Sequence, residues 1–87
     1  MSSDKIPTAR MIRAARGLLG LEQSEVAELV GVVRRTIIRI EADDTEPTNP
    51  RRIEIHEAIR DKLEKKYGIL FVYPGETGEG VVMKKGK

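Results

Sequence analysis

Residues 23–41 of the chain, QSEVAELVGVVRRTIIRIE, decide the fold. Apolar side chains recur at helical spacing on both sides of one glycine, Gly31. They are Val26, Ala27 and Val30 before the glycine, and Ile37 and Ile40 after it. Gly31 takes positive φ without steric cost, which suits a tight reversal of the chain. The stretch therefore predicts two short helices joined by a turn, with small Ala27 letting the helices cross closely.

The second predicted helix carries three arginines at positions that Ile37 and Ile40 do not occupy. These are Arg34, Arg35 and Arg39. Guanidinium groups bind phosphate oxygens and form paired hydrogen bonds with guanine edges. A tight turn followed by a cationic helix is the pattern of a helix-turn-helix, whose second helix enters the DNA major groove. We therefore predict that the three arginines contact bases.

Ile38 lies on the outward side of the same helix. It either touches a thymine methyl group, in which case it belongs with the base contacts, or completes the core or a dimer contact. Polar and basic side chains around this helix are predicted to hold DNA phosphates, the alternative for each being a solvated surface residue. The predicted phosphate contacts are Gln23, Thr36, Asn49, Arg51 and Arg13.

Composition limits the other classes of function. The 87 residues suit one domain, and the formal net charge of +2 hides a concentration of arginine around the motif. The chain has no cysteine and one histidine, His56, for which a partly buried polar contact is predicted instead of a metal or catalytic role. Because no catalytic set or phosphate loop is present either, no enzyme activity, metal or cofactor is predicted. Scarce aromatic residues argue against stacking on single-stranded RNA.

Two further helices flank the motif. The first begins after Thr8, ends before Gly20, and has an apolar stripe of Met11 or Ile12 with Ala15, Leu18 and Leu19. The second begins at Pro50, capped by Asn49, and runs to about Tyr67, with a stripe of Ile55, Ile59 and Leu63. Between motif and last helix lies an acidic loop, DDTEPTN, residues 43–49. Its acids either weaken DNA contact, set register by repulsion, or mark a protein-binding edge.

A structural ion pair is predicted between Arg16, near the inner end of the first helix, and Glu41, at the end of the arginine-rich helix. Across a small core, two such ends lie close enough for a guanidinium to meet a carboxylate. The alternative for Arg16 is a place on a solvated basic face with Arg10 and Arg13, since the three recur at every third residue.

The pattern changes after Gly68. The runs ILFVY and VVM are rich in β-branched and apolar residues, and PGETGEG between them is typical of a turn. These residues predict a β-hairpin within Ile69–Met83. Since an isolated hairpin is marginally stable, its apolar face needs the helical core or a second copy of the chain. Pairing of strand edges between copies would give a homodimer with twofold symmetry.

Residues 8–66 resemble the lambda-repressor/Cro type helix-turn-helix family, also called XRE. The resemblance rests on the lead-in IRAARGLLG and on Gln23, Val26, Ala27, Val30, Gly31, Val32, Ile37 and Ile40. It implies a compact helical domain that binds operator DNA as a dimer, with Gln23 against a phosphate. It also implies base contacts from Arg34, Arg35 and Arg39 and a structural Arg16–Glu41 pair. The chain departs from the family at Val33, where a Ser or Thr usually opens the recognition helix, and at Glu22.

The predicted fold class is therefore mainly α: a lambda-repressor-like bundle of four or five helices over residues 1–67, with a β-hairpin and basic tail over residues 68–87. The predicted function is a double-stranded DNA-binding transcriptional regulator, a dimeric repressor. The alternative is an antitoxin-type or accessory protein whose main ligand is a partner protein. The polar N-terminal residues 1–10 and the lack of a long apolar run predict a cytoplasmic protein without a signal peptide or membrane span.

Overall fold

The computed structural model describes residues 5–74 and 78–83. These residues form helices α1 (Ala9–Leu19), α2 (Gln23–Val30), α3 (Arg34–Ala42) and α4 (Pro50–Tyr67), then strands β1 (Ile69–Val72) and β2 (Gly80–Met83). The predicted fold class is confirmed: a mainly helical domain that ends in a hairpin. Part of the predicted turn and the KKGK tail lie outside the described residues. No helix in the described ranges is long and apolar enough to cross a membrane.

The turn between α2 and α3 has the geometry that the sequence predicts. Gly31 ends α2 with φ of 73°, in the left-handed region where a side chain would be strained. The next residue, Val32, donates its N–H to the carbonyl of Ala27 at 3.0 Å, which closes the turn. Ile37 and Ile40 of α3 are buried against the core, so the opposite side of α3 is left at the surface.

Local side-chain chemistry fixes the helix starts. Thr8 and Asn49 cap α1 and α4, as predicted, by accepting backbone N–H groups of the first turn. At α2 the Glu25 carboxylate reaches back and accepts the N–H of Glu22 at 2.7 Å. The start of α2 is therefore stabilised although Glu22 is not one of the usual cap residues. Val33 makes no side-chain bond at the start of α3. The N–H of Thr36 is bonded to the carbonyl of Val33, whereas those of Arg34 and Arg35 have no acceptor in the described residues and can meet an anion.

One continuous apolar core joins the four helices and the hairpin. Its buried members are Met11, Ile12, Ala15, Val26, Ala27, Ile37, Ile40, Ile59, Leu63, Ile69 and Phe71. The predicted stripe of α1 is wrong at Leu18, which is 46% exposed. Met11 and Ile12 are both buried instead, because α1 is covered on two adjacent sides by the other helices and the hairpin.

The hairpin packs across α1 and α4 and contributes to the same core. Its strands are antiparallel, with Ile69 opposite Met83 and Phe71 opposite Val81. Ile69 and Phe71 are buried, so this face of β1 lies on the helices. Glu79, just before β2, accepts hydrogen bonds from Thr8 Oγ1 at 3.2 Å and Arg10 Nε at 2.5 Å. These bonds fix the second strand against the start of α1.

His56 of α4 makes the predicted polar contact, but it is fully buried and not partly buried as the sequence suggests. Its Nδ1–H donates to the carbonyl of Pro7 at 2.9 Å, which joins α4 to the segment before α1. The other ring nitrogen, Nε2, is buried without a partner among the described residues. Burial lowers the pKa of His56 below the ordinary value of 6.5, because the charged ring would lose its hydration.

The domain is therefore expected to lose stability as the pH falls below about 6.5. The unfolded chain takes up a proton on His56 near that pH, whereas the folded chain keeps the ring neutral to lower pH. Urea unfolding at pH 7.5 and pH 5.5 measures the difference, and His56→Leu should remove most of it because the chain has no other histidine. Equal pH dependence in the wild type and the variant would contradict this role.

Candidate nucleic-acid interface

The arginines of the described residues fall into two groups. One group has acceptors within the chain: Arg10, Arg13, Arg16, Arg52 and Arg60. In the other group the side chains are exposed and, among residues 5–74 and 78–83, meet no acceptor: Arg34, Arg35, Arg39 and Arg51. All four of these lie on α3 or in the first turn of α4. The arginines without an acceptor in the described residues are therefore concentrated in one part of the molecule.

The exposed side of α3 carries cations and apolar groups, and its single acid is turned inward. Arg34, Arg35 and Arg39 are exposed, whereas Glu41 is 4% exposed. Ile38 is 37% exposed and lies outside the core cluster. The alternative that Ile38 completes the core is wrong; it remains available for a contact with a base methyl group or with a second copy.

A groove of about 400 Å³ lies between α3 and the start of α4. Its walls bring together one predicted base contact, Arg39, and three predicted phosphate contacts, Thr36, Asn49 and Arg51. Ile40 and Ile55 contribute apolar surface to the same groove. Residues that are up to 19 positions apart in the chain thus form one concave, basic surface.

The groove lies at the N-terminal end of α4, which is an 18-residue helix. Asn49 Oδ1 accepts the N–H groups of Arg51 and Arg52 at 2.8 and 3.3 Å, so the amide nitrogen of Asn49 is left to donate outward. The helix dipole adds partial positive charge at this end. Together with the guanidinium groups of Arg39 and Arg51, this favours a phosphate oxygen in the groove.

A buried network connects the predicted pair Arg16 and Glu41. Arg16 donates from Nε to Glu41 Oε2 at 2.7 Å and from Nη2 to Oε1 at 2.9 Å. A third bond runs from Arg16 Nη1 to the carbonyl of Leu21 at 3.1 Å. Gln23 Nε2 donates to Glu41 Oε1 at 3.1 Å. The network joins the end of α1, the start of α2 and the end of α3, so it fixes the angle at which α3 leaves the core.

Two predicted phosphate contacts are thus already engaged within the chain. Gln23 is half-buried, and its side-chain amide donates a hydrogen bond to Glu41. Arg13 donates from Nη1 to the carbonyl of Glu41 and to Asp44 Oδ1, the latter at 3.2 Å. A phosphate contact by either residue would have to share or replace these bonds. Thr36, Asn49 and Arg51 are the predicted phosphate contacts that the structure gathers in the groove.

Two of the three acids in the loop after α3 are paired with arginines. Asp43 accepts from Arg52 Nη1 at 2.9 Å and from the hydroxyl and N–H of Thr45 at 2.5 and 3.0 Å. The pKa of Asp43 is lowered to about 2, mainly by the two bonds from Thr45 and to a smaller extent by the bond from Arg52. Asp44 is paired with Arg13. Since both carboxylates have internal partners, they repel a nearby phosphate less than the sequence alone suggests.

The profile of the helix-turn-helix family matches residues 12–60, more than half of the chain. The chain belongs to the lambda-repressor-like helix-turn-helix family. The matched residues hold α2, the turn and α3, together with most of α1 and the first part of α4. It is accordingly a DNA-binding protein of the XRE type, and its ligand is double-stranded DNA. No curated protein and no solved structure matches the chain significantly.

Three of the hydrogen bonds around α3 are not predicted from the sequence: Gln23 donates to Glu41, Arg13 to Asp44, and Arg52 to Asp43. In the sequence, Asp43 and Arg52 offer a weak signal, since opposite charges at the two ends of a short loop can meet. The bond from Gln23 has no such signal, because it depends on how the ends of α2 and α3 approach each other across the core.

Proposed function

We propose that the protein is a sequence-specific transcriptional regulator that reads operator DNA with α3. One observation carries the proposal. The exposed arginines that lack an acceptor in the described chain all lie on α3 or the first turn of α4. On a surface that serves solubility alone, cations and acids alternate. The other arginines of the described residues follow this rule, since each is paired with a carboxylate. Here the four cations face a ligand that must supply the negative charge.

Base and phosphate contacts are assigned by position. Arg34 and Arg35 open α3 and Arg39 follows a turn later, which suits three side chains that enter the major groove. Bidentate bonds from arginine favour guanine, and Ile38 offers an apolar contact for a thymine methyl group. Thr36, Asn49 and Arg51 line the groove where a phosphate of the adjacent strand would lie.

We further propose that the protein acts as a homodimeric repressor. A single recognition helix covers few base pairs, whereas a twofold dimer reads an inverted repeat and gains specificity from both halves. The hairpin Ile69–Met83 supports the dimer, since it carries the exposed apolar side chains of Leu70, Val82 and Met83. Occupation of an operator that overlaps a promoter would then exclude RNA polymerase.

Selection of bound genomic fragments at about 150 mM salt tests the function, because non-specific phosphate binding is weak there. We expect enrichment of a short inverted repeat whose half-sites lie about one helical turn apart. A reporter behind the selected site should rise in activity when the gene is deleted. Fragments without a shared motif would contradict sequence-specific reading, and a reporter that falls would contradict repression.

Arg51→Ala is expected to weaken binding to operator and to random DNA by the same factor. A phosphate contact carries no sequence information, and its loss should reduce the slope of log K against log salt by about 1. The control is Lys62→Ala, an exposed lysine about three turns further along α4. Titrations between 50 and 200 mM salt give both slopes. A changed base preference in Arg51→Ala would instead make Arg51 a base contact.

A further inference from the structure

The two edges of the hairpin differ in their backbone hydrogen bonds. The N–H of Phe71 donates to Glu64 Oε2 of α4 at 3.0 Å, so it points away from β2. In an antiparallel ladder, opposite residues alternate between pairs that exchange hydrogen bonds and pairs that do not. Phe71 and Val81 are therefore a pair without mutual bonds, as are Ile69 and Met83. The N–H and C=O groups of Val81 and Met83 must then point outward from the free edge of β2.

The edge of β1 is protected and the edge of β2 is not. At the edge of β1, the Glu64 carboxylate accepts the N–H of Phe71. At the edge of β2, no acceptor or donor within the described residues meets the outward groups of Val81 and Met83. Monomeric proteins usually protect such an edge with a charge, a proline or a bulge. Strand β2, with the sequence GVVM, has none of these.

Exposed apolar side chains accompany this edge. Val82 is 47% exposed and Met83 is 52% exposed, and Leu70, directly opposite Val82 on β1, is 44% exposed. The exposed side chains of the two strands are thus apolar, whereas those of α3 are mostly basic.

We propose that β2 pairs with β2 of a second copy, so that two hairpins form one four-stranded antiparallel sheet. Two identical antiparallel strands complement each other about a twofold axis, so the same interface satisfies both free edges at once. With the axis at Val82, the outward groups of Val81 in each copy bond those of Met83 in the other. The two Val82 side chains then pack together on the outer face. This inference rests on the proposed homodimer and assigns its interface.

Cross-linking through a single introduced cysteine tests the register without DNA. The chain has no cysteine, so Val82→Cys has one thiol. Facing residues in a pair without mutual bonds have Cα atoms about 4.5 Å apart, which a disulfide spans. We expect mild oxidation of dilute Val82→Cys protein to convert most of it to covalent dimer.

Leu70→Cys is the matched control, because Leu70 is on the same face and almost equally exposed. In the proposed sheet its counterpart lies three strand spacings away, about 14 Å, beyond the reach of a disulfide. It should form no covalent dimer under the same oxidation. Equal cross-linking of the two variants, or none in Val82→Cys, would overturn the proposed interface.

A second pair of variants tests whether the interface depends on backbone hydrogen bonds between the two β2 strands or on the side chain of Met83. Met83→Pro removes one outward N–H while leaving the bonds between β1 and β2, whereas Met83→Ala keeps that N–H. In the Val82→Cys background, proline should abolish cross-linking and alanine should retain it, with thermal unfolding of both close to that of the parent. Retained cross-linking in the proline variant would overturn the ladder.

The outcomes also separate this interface from the proposed function. If Val82→Cys cross-links but the protein selects no inverted repeat, the interface stands and the DNA-reading role is lost. If the wild-type protein selects an inverted repeat but Val82→Cys does not cross-link, the role stands and the β2 interface is overturned.

Discussion

Arg16→Met is expected to lower the free energy of unfolding by about 3 kcal/mol, among the largest effects of any single substitution outside the apolar core. Methionine fills similar space but leaves the carboxylate of Glu41, which is 4% exposed, with the amide of Gln23 as its side-chain donor. Breaking a buried pair costs more than the pair contributes, because the remaining charge stays desolvated. Urea unfolding measures the loss, and Tm should fall by more than about 10 °C.

The control is Arg10→Met on the same helix. Arg10 also has a carboxylate partner, Glu79 at 2.5 Å, but its side chain is 54% exposed. An exposed pair contributes little, about 0–1 kcal/mol, so this variant should unfold near the wild type. The double variant Arg16→Met/Glu41→Leu should be more stable than Arg16→Met alone, since no buried charge is left. Equal stability of Arg16→Met and Arg10→Met would show that burial of Glu41 does not matter.

The sequence predicts those parts of the fold that depend on local chemistry. Gly31 marks the turn because positive φ is a property of one residue, and Thr8 and Asn49 mark helix starts because capping needs neighbours within three positions. The Arg16–Glu41 pair was predictable for a different reason. Both residues lie at helix ends that meet across a core too small to separate them.

Features set by tertiary contact were harder to predict. Leu18 has the spacing of a core residue, yet it is exposed because no described element covers that side of α1. The loop acids Asp43 and Asp44 suggest repulsion of DNA when counted as charges, but arginines from two helices pair with them. The groove at α3 depends on the angle of α4, which the shared core sets and no motif encodes.

The recognition surface could be predicted only in part from the sequence. The composition of α3 predicts which side chains are cationic, but a helix of nine residues can bury or expose any of them. The structure adds that Arg34, Arg35 and Arg39 are exposed without an acceptor in the described chain, while Gln23 and Arg13 are engaged. The candidate contacts therefore concentrate on α3 and the start of α4.

Replacing all three arginines of α3, as in Arg34→Ala/Arg35→Ala/Arg39→Ala, is expected to reduce affinity for the selected operator about a thousandfold or more. Each bidentate base contact contributes roughly 1–3 kcal/mol, and specific binding exceeds non-specific binding by about 10³ or more. The fold should persist, since the side chains are exposed and alanine favours helix. Circular dichroism checks the fold, and titration at about 150 mM salt gives Kd for operator and scrambled duplexes.

The matched control changes the net charge by the same amount elsewhere. Lys62, Lys65 and Lys66 are exposed on the later turns of α4, and their triple alanine variant also removes three cations. Loss of general electrostatic attraction affects both variants, whereas loss of base reading affects the arginine variant and abolishes its preference for operator over scrambled DNA. If the two triple variants lose operator affinity equally, α3 does not read the sequence, and the cations act through overall charge.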